Sequence, residues 1–344
     1  MAIGLRWQTK IHPGDDIPDY VIEQTTFQYV SMKETLLSLF KNPSFRRLFE
    51  DFNQNKKHQC VNGVYKDYCC SKVYNELDHD QRKDAIFIQI GTDDFDVSCP
   101  VKSKSTIHKL TAVYFKIRNL PPEFESKLDC IFLLALCETV NIKQRDVSLN
   151  NIYEVFVEEL SELQTTGLQI DDKTRPKVFL FDFISDNLGL NGALGFTECF
   201  IVDGMCRYCE MSKDEWRVAT RENKSKLRTE ASYQKAMKYL DSLDDDVDID
   251  LKKSKGIKGS CELTKIPSFS IFRNVNVDLM HDILEELVRS FIENLMKYCS
   301  EIFFASNNTV QVLIRDFNYG FLFKNKLPSK VKIPANNLKQ NATQ

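Results

Sequence analysis

Acidic residues stand at the ends of two apolar segments of this chain. The segment AIFIQIGTDDFDV (85–97) ends with Asp93, Asp94 and Asp96, and FISDNLGL places Asp186 just after a second apolar run. Adjacent carboxylates repel one another and favour protonation unless a cation neutralises them. Because acids at neighbouring strand ends can converge on one hydrated Mg²⁺, the pattern is typical of a metal site. Asp is also a favoured turn and N-cap residue, so a purely structural role remains open.

A third acidic group lies in VDLMHDILEELV, where Asp278, His281, Asp282 and Glu285 are three and four residues apart. On a helix this spacing brings them to one face. The face could hold a metal. Spacing alone nevertheless favours an N-cap at Asp278 followed by a solvated edge and a half-buried His281.

A C-x₂-C pair, Cys206 and Cys209 in CRYC, suits tetrahedral zinc but provides only half of a ligand set. The nearest other cysteines are Cys199 and Cys261, and His281 is the only histidine after His108. We take Cys261 and His281 as the candidate partners. Two buried thiols near a turn are the alternative.

The elements that must position these residues follow an α/β order. Period-2 alternation predicts a strand that begins the segment 85–97, and further strands are expected over 110–119, over 129–137, which should be buried on both faces, and over 177–184. A helical pattern fills 146–166, so we expect a mixed sheet with flanking helices. The predicted organisation is an N-terminal helical and irregular region (1–84), a first core part (85–196), an insertion (197–265), a helical continuation of the core (266–326) and a polar tail (327–344).

Local signals add further expectations. Residues 1–30 are expected to be irregular, and Asn42-Pro43 to split a helical pattern over 32–52 into two helices. Residues 53–83 are interpreted as a linker or loosely packed region. Single helices are expected over 213–240 and over 275–304.

Composition narrows the function classes. The chain has 344 residues, a formal net charge of −3 and 11 cysteines. A domain built only to coat DNA would usually be basic, whereas an enzyme with a local DNA groove need not be. We find no secretory signal and no membrane-length apolar run, so we expect an intracellular protein without membrane contact. Phosphate-binding glycine loops, G-x-S-x-G and H-E-x-x-H are absent from the sequence.

Taken in order, several segments resemble one family. They are DDFDV, IHKLTAVYFKIRNLPP, SDNLGL with GALGF, CRYC, GIKGSCEL, VDLMHDILEEL and FNYGFLFKNKLP. This succession, from Asp93 to the C-terminus, resembles the transposase-derived proteins of the CACTA/Plavaka-like group of cut-and-paste DNA transposons. Ser185 and Glu286 stand where that pattern usually has Gly, and an expected upstream zinc finger is absent.

The resemblance implies an RNase H-like core with three carboxylates and two Mg²⁺ or Mn²⁺ ions, interrupted by a zinc-knuckle insertion. Asp93 or Asp94 would be the first carboxylate and Asp186 the second. The third would be Asp278, Glu285 or a glutamate in a segment that related sequences carry beyond the end of this chain, which would then be a truncated copy. The implied activity is DNA strand cleavage and transfer at transposon ends, in the nucleus, by a protein that could form homo-oligomers.

Two other functions remain open at this point. One is a catalytically inactive, domesticated or relic module, stabilised by zinc, that binds DNA or protein. The other is a plain scaffold without metal. Basic side chains such as His108, Lys109, Lys116 and those of 213–240 could contact DNA phosphates, although a solvated face is the favoured interpretation for most of them.

Overall fold

The computed structural model describes residues 2–10, 19–55, 67–82, 84–97, 109–124, 126–142, 148–243 and 255–303, together with 309, 312 and 316. The chain divides into two units, Met1–Val277 and Asp278–Gln344, which are treated separately.

The first unit is built on a five-stranded mixed sheet. Its strands are β3 (Gln28–Tyr29), β4 (Ile86–Asp96), β5 (Lys109–Ile117), β6 (Phe132–Glu138) and β7 (Val178–Ile184), in the order β3-β6-β5-β4-β7. Strand β4 runs parallel to β7, and every other neighbouring pair is antiparallel. The expected mixed α/β sheet with flanking helices is therefore confirmed.

A short extended segment continues the sheet beyond β7. Phe183 forms a parallel bridge with Val275, and its amide donates to the Asn274 carbonyl at 2.7 Å. The Asn274 side chain, 5% exposed, donates to the Phe181 carbonyl at 2.8 Å. Residues 274–276 thus occupy the edge of β7.

The two faces of the sheet differ in composition. We call the inner face the side bearing Ile88 and Ile90 of β4, which are fully buried in the main hydrophobic core. Alternation along the strand places Phe87, Gln89, Gly91 and Asp93 on the other side, the outer face. One end of the outer face is covered by a smaller aromatic cluster that includes Phe87 and Tyr68.

Helices cover the inner face. They are α1 (Met32–Phe40), α2 (Pro43–Asn55) and α6 (Leu149–Thr166), whose apolar residues, such as Leu36, Phe49 and Phe156, join the main core. The break between α1 and α2 falls at Asn42-Pro43, as expected, because Pro begins a helix readily and cannot continue one. Shorter helices are α3 (Lys72–Glu76), α4 (His79–Arg82), α5 (Thr139–Ile142) and α7 (Asn187–Ala193).

Three local expectations are wrong. Residues 1–30 contain an antiparallel strand pair, β1 (Ala2–Lys10) with β2 (Asp19–Thr26), rather than an irregular segment. Within 53–83, Tyr68 and Cys69 are 3% and 4% exposed, so part of that region is well packed. The region 213–240 contains two helices, α8 (Lys213–Val218) and α9 (Glu230–Asp241), because Ser212 and Thr229 each start a helix with a capping box.

The second unit begins with a π-helical stretch, Met280–Leu287, that runs into α10 (Val288–Phe303). The expected long amphipathic helix is therefore present, but it starts at Met280 rather than at 275. Many of its apolar side chains are exposed, among them Leu284, Leu287 and Phe291.

Candidate functional site

Asp93 and Asp186 lie at the carboxyl ends of the two parallel strands. Gly91 of β4 pairs with Ile184 of β7, so continuing the register by two residues brings Asp186 level with Asp93. The Ser185 hydroxyl donates to the Thr92 carbonyl at 2.8 Å, which holds the chain beside β4 after β7 has ended. Alternation places Asp93 on the outer face, Asp186 follows the end of β7, and both are exposed. By this register the two sequence-predicted residues follow neighbouring strands at the same end of the sheet.

Asp186 also begins α7. Its Oδ1 accepts a hydrogen bond from the Gly189 amide at 2.6 Å, and its backbone is extended, as an N-cap requires. The N-cap role that the sequence left open is therefore present. It engages one carboxylate oxygen.

Asp94 points to the opposite side of the sheet. Its Oδ1 accepts a hydrogen bond from the Thr111 hydroxyl at 2.5 Å, and Thr111 in turn lies 2.9 Å from the Thr139 hydroxyl at the start of α5. Because neighbouring strand residues face opposite ways, Asp93 and Asp94 do not serve one site. The two alternatives for the first carboxylate therefore lie on opposite faces of the sheet.

A buried carboxylate that sequence reasoning missed lies further down the outer face. Asp182 is 4% exposed, and its Oδ2 accepts hydrogen bonds from Gln89 Nε2 at 2.6 Å and Asn276 Nδ2 at 2.7 Å. Arg118 Nε is 3.9 Å from the same oxygen. Burial raises the pKa of Asp182, although Arg118 and the two hydrogen bonds oppose the shift. A lone acid between phenylalanines in FLFDFI was the signal.

Tyr114 forms part of the same face next to Asp93. It pairs with Gly91 across β4 and β5, and a Cβ on Gly91 would lie 2.5 Å from the Tyr114 ring. Burial, followed by the negative charge of Asp93, raises the pKa of Tyr114. A glycine within a strand pattern often marks such a close approach, so Gly91 was the sequence signal for this packing.

Basic residues are present on β5 as well. Lys116 pairs with Gln89 on the outer face, and Lys109 pairs with Asp96 at the strand end. His108 lies outside the described residues. Within 213–240, Arg228 is 6% exposed and makes internal hydrogen bonds, so it does not contribute to a basic surface.

CRYC forms a tight turn in which both thiols are close together. The Tyr208 amide is 3.3 Å from Cys206 Sγ, and Cys209 lies within hydrogen-bonding reach of the Cys206 side chain. Burial, with Cys206 nearby, raises the pKa of Cys209. The turn is fixed from inside by two arginines: Arg207 Nη2 donates to Asn187 Oδ1 at 2.9 Å, and Arg228 Nε donates to the Cys206 carbonyl at 2.9 Å.

The remaining zinc candidates lie elsewhere. Cys261 is 2% exposed in the main core, where burial raises the pKa of its thiol to about 12 and where it neighbours Tyr153 and Tyr233. Cys199 is exposed. His281 belongs to the second unit.

In that unit Asp278 and His281 form a close pair. His281 Nδ1 lies 2.5 Å from Asp278 Oδ2, and the His281 amide donates to Oδ1 at 3.1 Å. Asp278 thus accepts from the amide three residues further on, but the N-cap of the helix is Leu279 rather than the predicted Asp278. Asp282 and Glu285 are exposed on the same helix.

Across the part of the chain that the structure describes, no three His, Cys, Asp or Glu side chains are grouped closely enough to hold a metal ion. The same described residues contain no helix that is long and apolar enough to cross a membrane. A scan against protein-family models returned no match, and no curated protein matches the chain significantly.

Proposed function

We propose that this chain is a transposase-like protein with an RNase H-like core, related to the CACTA/Plavaka-like group, whose ancestral activity is metal-dependent cleavage and transfer of DNA strands. The observation that carries the proposal is that Asp93 and Asp186 stand at the carboxyl ends of two neighbouring parallel strands, at the same end of the sheet.

The order of elements supports the same reading. Three antiparallel strands, β4 to β6, are followed by helix α6 and by β7, which returns parallel to β4. Parallel strands need a crossover connection, and here that connection returns the chain along β4, so that β7 and β4 end at the same end of the sheet. This arrangement is consistent with an RNase H-like core.

The two carboxylates fit one hydrated Mg²⁺ or Mn²⁺. Mg²⁺ is usually bound through one or two carboxylates with several retained waters, so Asp93 and Asp186 would suffice as its protein ligands. When bound, such an ion would polarise a phosphodiester and stabilise the leaving oxygen. The chain's own contribution is to keep Asp93 on the outer face through strand pairing and to orient Asp186 through its N-cap bond to Gly189.

The test is nicking of duplex DNA in Mg²⁺ or Mn²⁺ by the wild type and by Asp93→Asn, Asp94→Asn and Asp186→Asn. We expect Asp93→Asn and Asp186→Asn each to reduce the rate at least a hundredfold, because each removes a charged ligand. Asp94→Asn is the matched neighbour and should retain most of the activity. Asp214→Asn, at a side chain 94% exposed, controls for nonspecific effects.

The proposal fails if the wild type does not nick DNA, or if Asp186→Asn nicks as fast as the wild type. It would also need revision if Asp94→Asn, rather than Asp93→Asn, lost activity.

A second candidate is an inactive, zinc-stabilised module that binds DNA or protein. The observation in its favour is that Asp278, a candidate third carboxylate, is engaged by His281 through both of its oxygens. Two thiols of CRYC fit half of a zinc site, and Cys261, buried in the core, is not grouped with them. Metal analysis of purified protein and of Cys206→Ser/Cys209→Ser tests this: equal zinc content, or none in either, removes the zinc claim.

A further inference from the structure

Next to the aligned aspartates, the outer face of β5 presents a row of hydrogen-bond donors. Outer-face positions on this strand carry Ala112, Tyr114 and Lys116, and Arg118 follows its end; all four are partly buried, and Ala112 pairs directly with Asp93. Ala112 has no side-chain donor. The next residue along this face of β5, Tyr114, therefore provides the hydrogen-bond donor nearest to Asp93 along the strand.

Gly91 allows the Tyr114 ring to lie across strand β4. The position that a Cβ on Gly91 would occupy is 2.5 Å from Cε2, 2.6 Å from Cζ and 2.8 Å from the hydroxyl oxygen of Tyr114. Real Cβ atoms do not approach so closely, so only glycine permits this ring position. The hydroxyl end therefore extends over β4, between the strand that carries it and β7.

The phenol is a donor in this position. A tyrosine hydroxyl keeps its proton at neutral pH, because its ordinary pKa is about 10. A neutral donor next to two carboxylates has a clear chemical use, because it can bind an anionic oxygen without cancelling the charge that attracts a cation.

We propose that Tyr114 is a substrate-positioning residue, whose hydroxyl donates a hydrogen bond to a phosphate oxygen of the DNA strand bound at Asp93 and Asp186. This inference rests on the proposed function. The Gly91–Tyr114 packing fixes the height of the hydroxyl above the sheet, and Lys116, two residues along the same face, extends the anion-binding row.

The experiment compares the wild type with Tyr114→Phe, Gly91→Ala and the double variant in Mn²⁺-dependent nicking of duplex DNA. For Tyr114→Phe we expect KM for DNA to rise about tenfold, the value of one hydrogen bond to a charged oxygen, with kcat within about twofold. The Mn²⁺ concentration giving half-maximal rate should not change, because no metal ligand is removed. Tyr239→Phe, on α9, is the matched control and should resemble the wild type.

Gly91→Ala should displace the ring and raise KM by a similar factor. Because both changes remove the same hydrogen bond, the double variant should be no worse than Gly91→Ala alone. Thermal unfolding of each variant identifies any that fails to fold. If Gly91→Ala does not fold, Tyr114→Phe, which keeps the ring, still tests the hydrogen bond.

An unchanged KM in Tyr114→Phe, or an additive double variant, overturns the inference while leaving the proposed function intact. A wild type that does not nick DNA overturns both. An altered Mn²⁺ dependence in Tyr114→Phe would also overturn it, since the residue would then act through the metal site.

Discussion

At the scale of single residues, the two oxygens of Asp182 have unequal surroundings. Oδ2 accepts from Gln89 and Asn276, whereas Oδ1 is buried without a hydrogen-bond partner among the described residues. A buried carboxylate with one unsatisfied oxygen favours the protonated form. Asp182 connects β4, β7 and the segment 274–276. Its ionisation therefore affects the stability of the contact between β7 and this segment.

The raised pKa of Asp182 gives a stability prediction. The folded protein binds this proton more tightly than the unfolded chain does, so the contribution is fully present below the unfolded pKa of about 4 and is lost as pH rises through the folded value. Asp182→Asn removes this titration while keeping an oxygen that can accept from Gln89 and Asn276.

Chemical denaturation between pH 3 and pH 8 checks it. Relative to Asp182→Asn, the wild type should lose free energy of unfolding as pH rises through this window. Asp214→Asn should not reproduce the difference. A constant gap between the wild type and Asp182→Asn at all pH values would contradict the prediction.

Some of the candidate site residues could be predicted from the sequence, and others could not. The position of Asp93 and Asp186 at the ends of neighbouring strands was predictable, because both follow apolar runs and the ends of parallel strands meet at one edge of a sheet. The choice between Asp93 and Asp94 was not, since it depends on which face of β4 meets α6. Asp182 escaped notice because an acid within a buried strand makes sense only once Gln89 and Asn276, distant in sequence, are placed beside it.

At the scale of elements, Glu159 of α6 caps the start of α1. Its carboxylate accepts hydrogen bonds from the Tyr29 and Ser31 hydroxyls, each at 2.5 Å, and from the Met32 amide at 2.9 Å. The free amides at a helix start are usually satisfied by a neighbour in sequence. Here Ser31 Oγ accepts from the Glu34 amide at 3.1 Å, and Glu159, on another helix, adds an acceptor for the Met32 amide and also fixes β3, at the sheet edge, to the helical layer.

We therefore expect Glu159→Ala to lower the free energy of unfolding by about 1–3 kcal/mol, the range for leaving partly buried donors without an acceptor. Glu158→Ala, at the preceding exposed position of α6, is the control and should change stability by less than about 0.5 kcal/mol. Urea denaturation measures both. Equal effects would show that α6 loses stability for a reason other than this cap.

Elements with a clear period were predicted well, namely β4 to β7, α6 and the break at Asn42-Pro43. The pairing of residues 274–276 with β7 was not predicted, because three extended residues have no period and their partner lies far away in the chain. The α8 and α9 boundaries were missed for a different reason: charged side chains mask the capping signals of Ser212 and Thr229.

At the scale of the whole molecule, the insertion is fastened to the core at its start and end. Phe196 bridges Ile257 in antiparallel fashion, and the Thr197 amide donates to the Gly256 carbonyl at 2.7 Å. We call this junction of 196–197 with 256–257 the neck. Next to it, Arg228 donates to the carbonyls of Gly204 and Cys206, each at 2.9 Å, and its guanidinium lies 5.2 Å from the centre of the Phe196 ring. Tyr233 of α9 enters the main core.

Replacing this guanidinium should weaken the fold. We expect Arg228→Gln to lower the free energy of unfolding by about 2–4 kcal/mol, because buried carbonyls lose their donors. Arg221→Gln, at an exposed position in the same insertion, is the control. Denaturation curves give the free energy of unfolding of both variants. If Arg228→Gln is as stable as Arg221→Gln, Arg228 does not stabilise this part of the fold.

The closed neck has a consequence for the order in which the chain folds. Phe183 and Val275 pair although a long stretch of chain separates them, and the entropy of closing a loop grows with its length. Once Phe196 and Ile257 have paired, the loop that must be closed consists only of the two short segments between β7 and Phe196 and between Ile257 and residues 274–276. Early closure of the neck would thus lower the effective contact order of the sheet edge, and folding would be faster than its sequence separation suggests.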